Sequence, residues 1–338
     1  MPDPTLITDP AATILDRLSA SRRVIITTHL RPDGDALGTS AAMALGLRHK
    51  GIDCEVLLFS KLPQKYAFVF HGNQIIYHEV DGGFPKDYSL DRFDTLLVVD
   101  TGTWSQLPGL REQLERWKGI RLVVDHHLTQ EGWADASLVQ TDAAAAGEIA
   151  AELLSRWGVP LDPPIATSIF LAIASDTGWF HFNNTRPRTL RLAATLIEAG
   201  VDTDRMYQLL FQNEPVTRLA LQTRAQQSME LLSDNRLAVM TLGREDFKAT
   251  GAGMPDTENL INIPLQVRSV EVSILIVEPT DGGPIRVSLR SKGAVDVARF
   301  AEQFGGGGHA RASGLKLSIP LAEGHDRVVS AMQRVLGR

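Results

Sequence analysis

Apolar residues in this chain fall into short, nearly unbroken runs separated by stretches of helical period. Val24-Ile25-Ile26, residues 54–59, 74–77 and 94–100, and Arg121-Leu122-Val123-Val124-Asp125 read as strands. Continuous Val/Leu runs of this kind suit a parallel sheet covered by helices on both faces. Helical spacing lies between them, at residues 11–20 (Ala11, Ile14, Leu15, Leu18), 40–50 and 110–117. Thr141-Asp142 is placed to cap a helix carrying Ile149, Leu153 and Trp157, which Gly158 stops. Pro163-Pro164 opens another, through Ile165, Ile169, Leu171 and Ile173, to Ser175-Asp176-Thr177-Gly178. The pattern stays helical over residues 187–232. It then changes to strands at 236–242, 270–277, 285–289 and 314–319, with helices at 295–304 and 326–336. The expected fold is α/β, with an N-terminal doubly wound, mainly parallel sheet over residues 1–187, a helical linker over 188–232 and a smaller C-terminal α+β domain over 233–338. No internal repeat or low-complexity tract interrupts this order.

Composition narrows the function classes. The 338 residues are 43% hydrophobic and 22% charged, which excludes a disordered or fibrous chain. No apolar run approaches the roughly 20 residues of a membrane helix, and Met1-Pro2-Asp3-Pro4 lacks the basic and apolar regions of a signal peptide. A cytoplasmic protein with no membrane partner is expected. The single cysteine, Cys54, permits no intrachain disulfide. A net charge of −6 argues against a footprint along a long nucleic acid and leaves short anionic substrates open.

The candidate chemistry lies at the ends of the strands. His29-Leu30-Arg31-Pro32-Asp33-Gly34-Asp35 follows the first, Asp100 ends another, Asp125-His126-His127 ends a third, and Asp176 ends a helix. In a doubly wound sheet that edge is where ligands bind. One aspartate there is often only a helix cap; the joint occurrence of His29, Asp33, Asp35, Asp100, His126 and Asp176 is enough for two cations. A carboxylate and imidazole shell without thiolate favours manganese, admits cobalt, magnesium or iron, and disfavours a closed structural zinc site. Two such ions about 3.5–4 Å apart clamp phosphoryl oxygens during in-line attack, so phosphate-ester hydrolysis is the natural reaction. A second stretch, Gly305-Gly306-Gly307-Gly308-His309-Ala310-Arg311, suits an anion: glycines let backbone N–H groups approach, and His309 and Arg311 add charge. A flexible hinge is the plainer reading of the glycines alone. Arg290, in Ser288-Leu289-Arg290-Ser291, stands at the end of a predicted strand and can join them.

These segments, in this order, resemble the four motifs of the DHH phosphoesterases, and Gly306-Gly307-Gly308-His309 resembles the signature of the DHH-associated C-terminal domain. The two-domain layout is most similar to NrnA-type oligoribonucleases. That resemblance implies a manganese-dependent enzyme that degrades di- to tetranucleotides to mononucleotides and removes the 3′-phosphate of 3′-phosphoadenosine 5′-phosphate. It implies that His29 and Asp33 bind one manganese and Asp35 and His126 the other, with Asp100 and Asp176 shared. By the same resemblance His127 is expected to face the substrate phosphate and Asp125 to orient the histidines. The resemblance further implies that Arg290, Ser291, Gly306, Gly307, Gly308, His309 and Arg311 hold the substrate, and a homodimer is the family-based expectation. Two alternatives stay open, a phosphodiesterase acting on cyclic di-AMP or its linear product and a RecJ-like single-strand exonuclease. A family II pyrophosphatase is disfavoured by the glycine-rich stretch with His309, and a sensor without turnover by the complete ligand set.

Overall fold

Six parallel strands form the first sheet: β1 Arg23–Thr27, β2 Asp53–Leu58, β3 Tyr77–Glu79, β4 Thr95–Val99, β5 Ile120–Asp125 and β6 Ala136–Val139, in the order β3-β2-β1-β4-β5-β6. The structure is a computed structural model that describes residues 9–80, 84 and 88–337; the N-terminal reading at Met1-Pro2-Asp3-Pro4 lies outside the described residues. The strand runs are apolar on both sides because both faces are covered. Val24 and Ile26 of β1, Leu97 and Val99 of β4, and Leu122 and Val124 of β5 face one core, while Ile25, Leu96, Val98 and Val123 face the other.

The helices of this unit are α1 Pro10–Ala20, α2 Gly34–His49, α3 Phe68–His71, α4 Leu110–Leu114, α5 Ala146–Arg156, α6 Pro163–Asp176, α7 Pro187–Glu198 and α8 Thr203–Phe211. Helices α2 and α6 are buried almost all round and pack backbone to backbone. A side chain at Gly38 would collide with the Ser168 carbonyl and Ala172, and one at Gly34 with Ser175. Only glycine allows this approach, which draws the start of α2 against the end of α6. The doubly wound order reverses between β1 and β4, so the loops leaving their carboxyl ends diverge and open a crevice there.

The chain divides into two compact units, residues 1–213 and 214–338. The second holds α9 Val216–Gln227, β7 Glu230–Leu232, β8 Leu237–Leu242, α10 Arg244–Thr250, β9 Val272–Val277, β10 Ile285–Ser291, α11 Val297–Glu302, β11 Gly307–His309, β12 Ala312–Leu317 and α12 Leu321–Val335. Its sheet runs β11-β12-β10-β9-β8-β7, antiparallel except for the β8–β9 pair. Helices α11 and α12 cover one face, α9 and α10 the other.

Three local expectations are corrected. The helix expected to start at Thr141-Asp142 begins at Ala146, and its N-cap Ala145 makes no side-chain bond. Its first amides, of Ala146 and Gly147, donate instead to Asp35 of α2, at 2.7 and 3.0 Å. The helical stretch expected through residue 232 stops at Gln227, because Glu230–Leu232 pair with β8. The glycine run is partly strand: Gly307 and Gly308 pair with Gly314 and Ser313 of β12.

Candidate metal centre

Six donors converge at the carboxyl ends of β1, β4 and β5 and the facing ends of α2 and α6. His29 Nε2 lies 3.4 Å from Asp100 Oδ2 and 3.8 Å from Asp33 Oδ1. His126 Nε2 lies 3.4 Å from Asp100 Oδ1, and 3.7 Å from both Asp35 Oδ2 and Asp176 Oδ2. The donors thus form a group of His29, Asp33 and Asp100 and a group of Asp35, His126 and Asp176. Asp100 touches both.

Five of the six donors have a local reason for their place. Asp33 caps α2 by accepting the amides of Asp35 and Ala36 through Oδ1. Asp35, 1% exposed, is held by the Thr39 hydroxyl at 3.0 Å besides the two amides of α5. The Nδ1 atoms of His29 and His126 lie 3.1 and 3.3 Å from the carbonyls of Leu30 and Ala143. Donation there fixes the tautomer and turns each Nε2 lone pair towards the acids. Asp100 takes a left-handed backbone, φ 61°, as the chain leaves β4. Its carboxylate is 3% exposed, and Oδ1 is buried without a hydrogen-bond partner.

This donor set fits divalent cations. Two ligands each about 2.1 Å from one ion stand roughly 3–3.5 Å apart, close to the spacings found here. A buried carboxylate oxygen without a donor costs free energy unless a positive charge faces it. The electrostatics agree. Burial opposes charge on His29 and His126, yet the facing carboxylates, Asp100 foremost, outweigh it and lift both imidazoles to about 10. Burial, reinforced by neighbouring acids, raises Asp176 to about 6 and Asp35 well above the usual carboxylate range. The cluster is short of positive charge.

Asp125 belongs to a different network. It is fully buried and accepts the amides of His126 and His127, the Nδ1 of His127 at 2.8 Å and the side-chain amide of Gln130. These bonds hold its carboxyl below the ordinary value although burial pushes it up. The bond to Asp125 raises His127. His127 is 54% exposed, and its Nδ1 is 3.7 Å from Asp100. Gln130 and the α5 amides gave no signal in the sequence, since a lone glutamine and two backbone N–H groups belong to no pattern.

In the second unit, Arg290, Ser291, His309 and Arg311 meet at one end of the sheet, where Arg290 pairs with Ala312 and the Ser291 amide donates to the Arg311 carbonyl. His309 and Arg311 are exposed. Arg290 is half-buried, and its Nη1 donates to the carbonyl of Leu289. Ser291 is buried, with Oγ accepting the amides of Gly293 and Val295. Gly306 has no room for a side chain against Gly314 and Leu315, while Gly307 faces open space.

Comparison with known proteins supplies independent findings. The DHH family N-terminal domain matches residues 23–173, and the DHHA1 domain matches residues 234–337. The bifunctional oligoribonuclease and PAP phosphatase NrnA of Thermus thermophilus is 28% identical over 320 residues, covering 93% of this chain and 90% of that protein. A probable NrnA of the same description from Streptococcus mutans is also 28% identical, over 317 residues, with 93% and 95% covered. Among solved structures, an exopolyphosphatase-related protein from Bacteroides fragilis superposes with a TM-score of 0.83 at 22% identity, covering 97% of this chain and 98% of that one. This last likeness is one of fold.

Proposed function

The chain belongs to the DHH family, joining its N-terminal domain to a DHHA1 domain, and from that premise we propose that it is a two-metal phosphoesterase. Its substrates are short oligoribonucleotides, cut to mononucleotides, and 3′-phosphoadenosine 5′-phosphate, from which it removes the 3′-phosphate. The observation that carries the reading is the Asp100 carboxylate, buried between two groups of donors with one oxygen left without a partner. The activities named for the Thermus and Streptococcus relatives, which align over nine-tenths of this chain, support the substrate class.

In this reading His29 and Asp33 would hold one ion, Asp35, His126 and Asp176 would hold the other, and Asp100 would contribute to both sites. Manganese suits the carboxylate and imidazole shell. When bound, the pair supplies Lewis-acid charge for the phosphoryl oxygens and an activated water for in-line attack. The protein's part is positional. Asp125 holds His127 by Nδ1, favours its protonated form and leaves Nε2 to donate to a phosphate oxygen of the substrate. Arg290, His309 and Arg311, which have no carboxylate partners among the described residues, contribute anion contacts. The net charge of −6 disfavours long nucleic acid. No described helix is long and apolar enough to cross a membrane. The proposal includes a cytoplasmic enzyme acting as a homodimer.

Titration of metal-stripped protein with Mn2+, followed by calorimetry and by hydrolysis of a 5′-phosphorylated diribonucleotide and 3′-phosphoadenosine 5′-phosphate, tests this reading. Two sites are expected, with turnover rising as they fill. Two bound ions with neither substrate cleaved would leave a nucleotide-binding sensor in its place.

A further inference from the structure

The first unit contains a cavity of about 610 Å³ that opens beside Asp33, and the metal centre uses only that edge of it. Its lining includes Tyr66, Trp179, Phe182, Tyr207 and Phe211, together with Lys65. The volume lies in the range of small-ligand sites. Three of these side chains are largely open, Phe182 and Phe211 each 53% exposed and Tyr207 41% exposed, while Tyr66 and Trp179 are half-buried with one side packed on the core. They are nonetheless ordered against one another. The Trp179 ring meets Tyr207 at 5.4 Å and Phe211 at 5.6 Å, both edge to face, and Tyr207 meets Phe211 at 4.9 Å.

The backbone that presents Trp179 is unusual. Gly178, Trp179 and Phe180 are successively left-handed, with φ of 56°, 59° and 65°. Bulky residues seldom occupy that region. The turn is held by the Thr177 hydroxyl, which accepts the Phe180 amide at 3.0 Å, and by the Trp179 amide, which donates to the Ala174 carbonyl at 2.6 Å. It follows Asp176 directly, so the segment that supplies a metal donor also sets an indole at the cavity wall. Lys65 is half-buried, with its ammonium 4.9 Å from the Tyr66 ring centroid and no carboxylate partner among the described residues. A cavity with aromatic walls, an ammonium without an acid and a cation-seeking carboxylate at one edge matches one kind of ligand. That ligand has a flat aromatic body joined to an anion.

We infer that this cavity is a stacking subsite for a nucleobase, that of a nucleotide whose phosphate lies at the metal centre, with Lys65 offsetting phosphate charge. The inference rests on the proposed phosphoesterase reading and adds how the substrate is seated. Stacking is sequence-tolerant because every base presents a π-face, so the subsite serves an enzyme that must accept any short RNA end. It fixes the scissile phosphate through the attached base.

The test is a cycle between base and ring. Wild-type protein, Trp179→Ala and Phe211→Ala are compared with Mn2+ on 5′-phosphorylated diadenylate and on two analogues, abasic at one or the other position. Equilibrium dialysis of adenosine 5′-monophosphate is run on the same proteins. For one analogue, wild-type kcat/KM is expected to drop roughly 5- to 100-fold, and that penalty should shrink in the variants. Their affinity for the mononucleotide should weaken by a similar factor. An abasic penalty unchanged in the variants, or undiminished mononucleotide affinity, overturns the subsite. A dimer that dissociates in Phe211→Ala with nucleotide binding intact would also overturn it, making the patch a contact between copies. Phe211→Ala, at a half-exposed side chain, covers the case in which Trp179→Ala fails to fold. Wild-type protein that binds the mononucleotide in this cavity but cleaves no phosphodiester would sink the phosphoesterase reading and leave the subsite standing.

Discussion

Asp100 does what no other residue of the centre does, since its two oxygens face different imidazoles, His29 and His126, each at 3.4 Å. Asp100→Ala removes a donor from both groups at once. Hydrolysis is expected to fall by about 10³-fold or more, and calorimetry should show both manganese sites weakened. Retained turnover at saturating metal would mean that Asp100 bridges nothing. All six of the side chains that cluster here could be picked out in the sequence, because each follows a strand run or ends a helix. Their supports could not. Asp35 is held by amides 111 and 112 residues away, and Lys65, Tyr66, Trp179 and Phe211 reach one cavity only after the chain folds. Aromatic residues at helical spacing read as ordinary core until their exposure is known.

At the scale of elements, the close approach of α2 to α6 sets how far Asp33 and Asp35 lie from Asp176. Gly38→Val would force the helices apart, because the added side chain meets the Ser168 carbonyl and the Ala172 backbone, neither of which can swing away. A loss of about 1–3 kcal/mol in denaturant unfolding is expected, together with weaker metal binding. Unchanged stability would show that α2 can shift freely. On the neighbouring strands Glu55 of β2 gathers Arg23, His78 and Arg92, at 2.6, 2.6 and 2.8 Å. Burial pushes the Glu55 carboxyl up, but the hydrogen bond with His78 and the two guanidiniums outweigh it and hold it below its usual 4.5. Its contribution to stability is therefore complete above that pH and fades as pH falls through the lower folded-state value. Glu55→Gln is expected to cost about 1–3 kcal/mol near pH 7, with the gap to wild type closing in more acidic unfolding experiments. A gap that stays constant down to pH 3 would contradict this. The long apolar strands were readable from their runs, whereas β6, β7 and β11, of three or four residues, were not, and β3, expected at 74–77, lies at Tyr77–Glu79. So short a strand is specified by its partner's free edge rather than by its own pattern.

For the whole molecule, the change after a long helical stretch to a second set of strands pointed to a smaller α+β body beside the parallel sheet, and the structure contains a parallel and a mainly antiparallel sheet. The division after Asn213 was harder to read, because helices continue across it: α7 and α8 belong to the first unit and α9 to the second. Helical period reports which face of a helix is buried and says nothing of which core buries it. Two-metal hydrolysis of short RNA is best tested by manganese-dependent turnover on a 5′-phosphorylated diribonucleotide beside a single strand of about 20 nucleotides, with 3′-phosphoadenosine 5′-phosphate and cyclic di-AMP as further substrates. Fast release of mononucleotides from the dimer, slow attack on the long strand and measurable dephosphorylation of the bisphosphate are the predicted result. Preference for the long strand, or for the cyclic dinucleotide over every linear substrate, would contradict it.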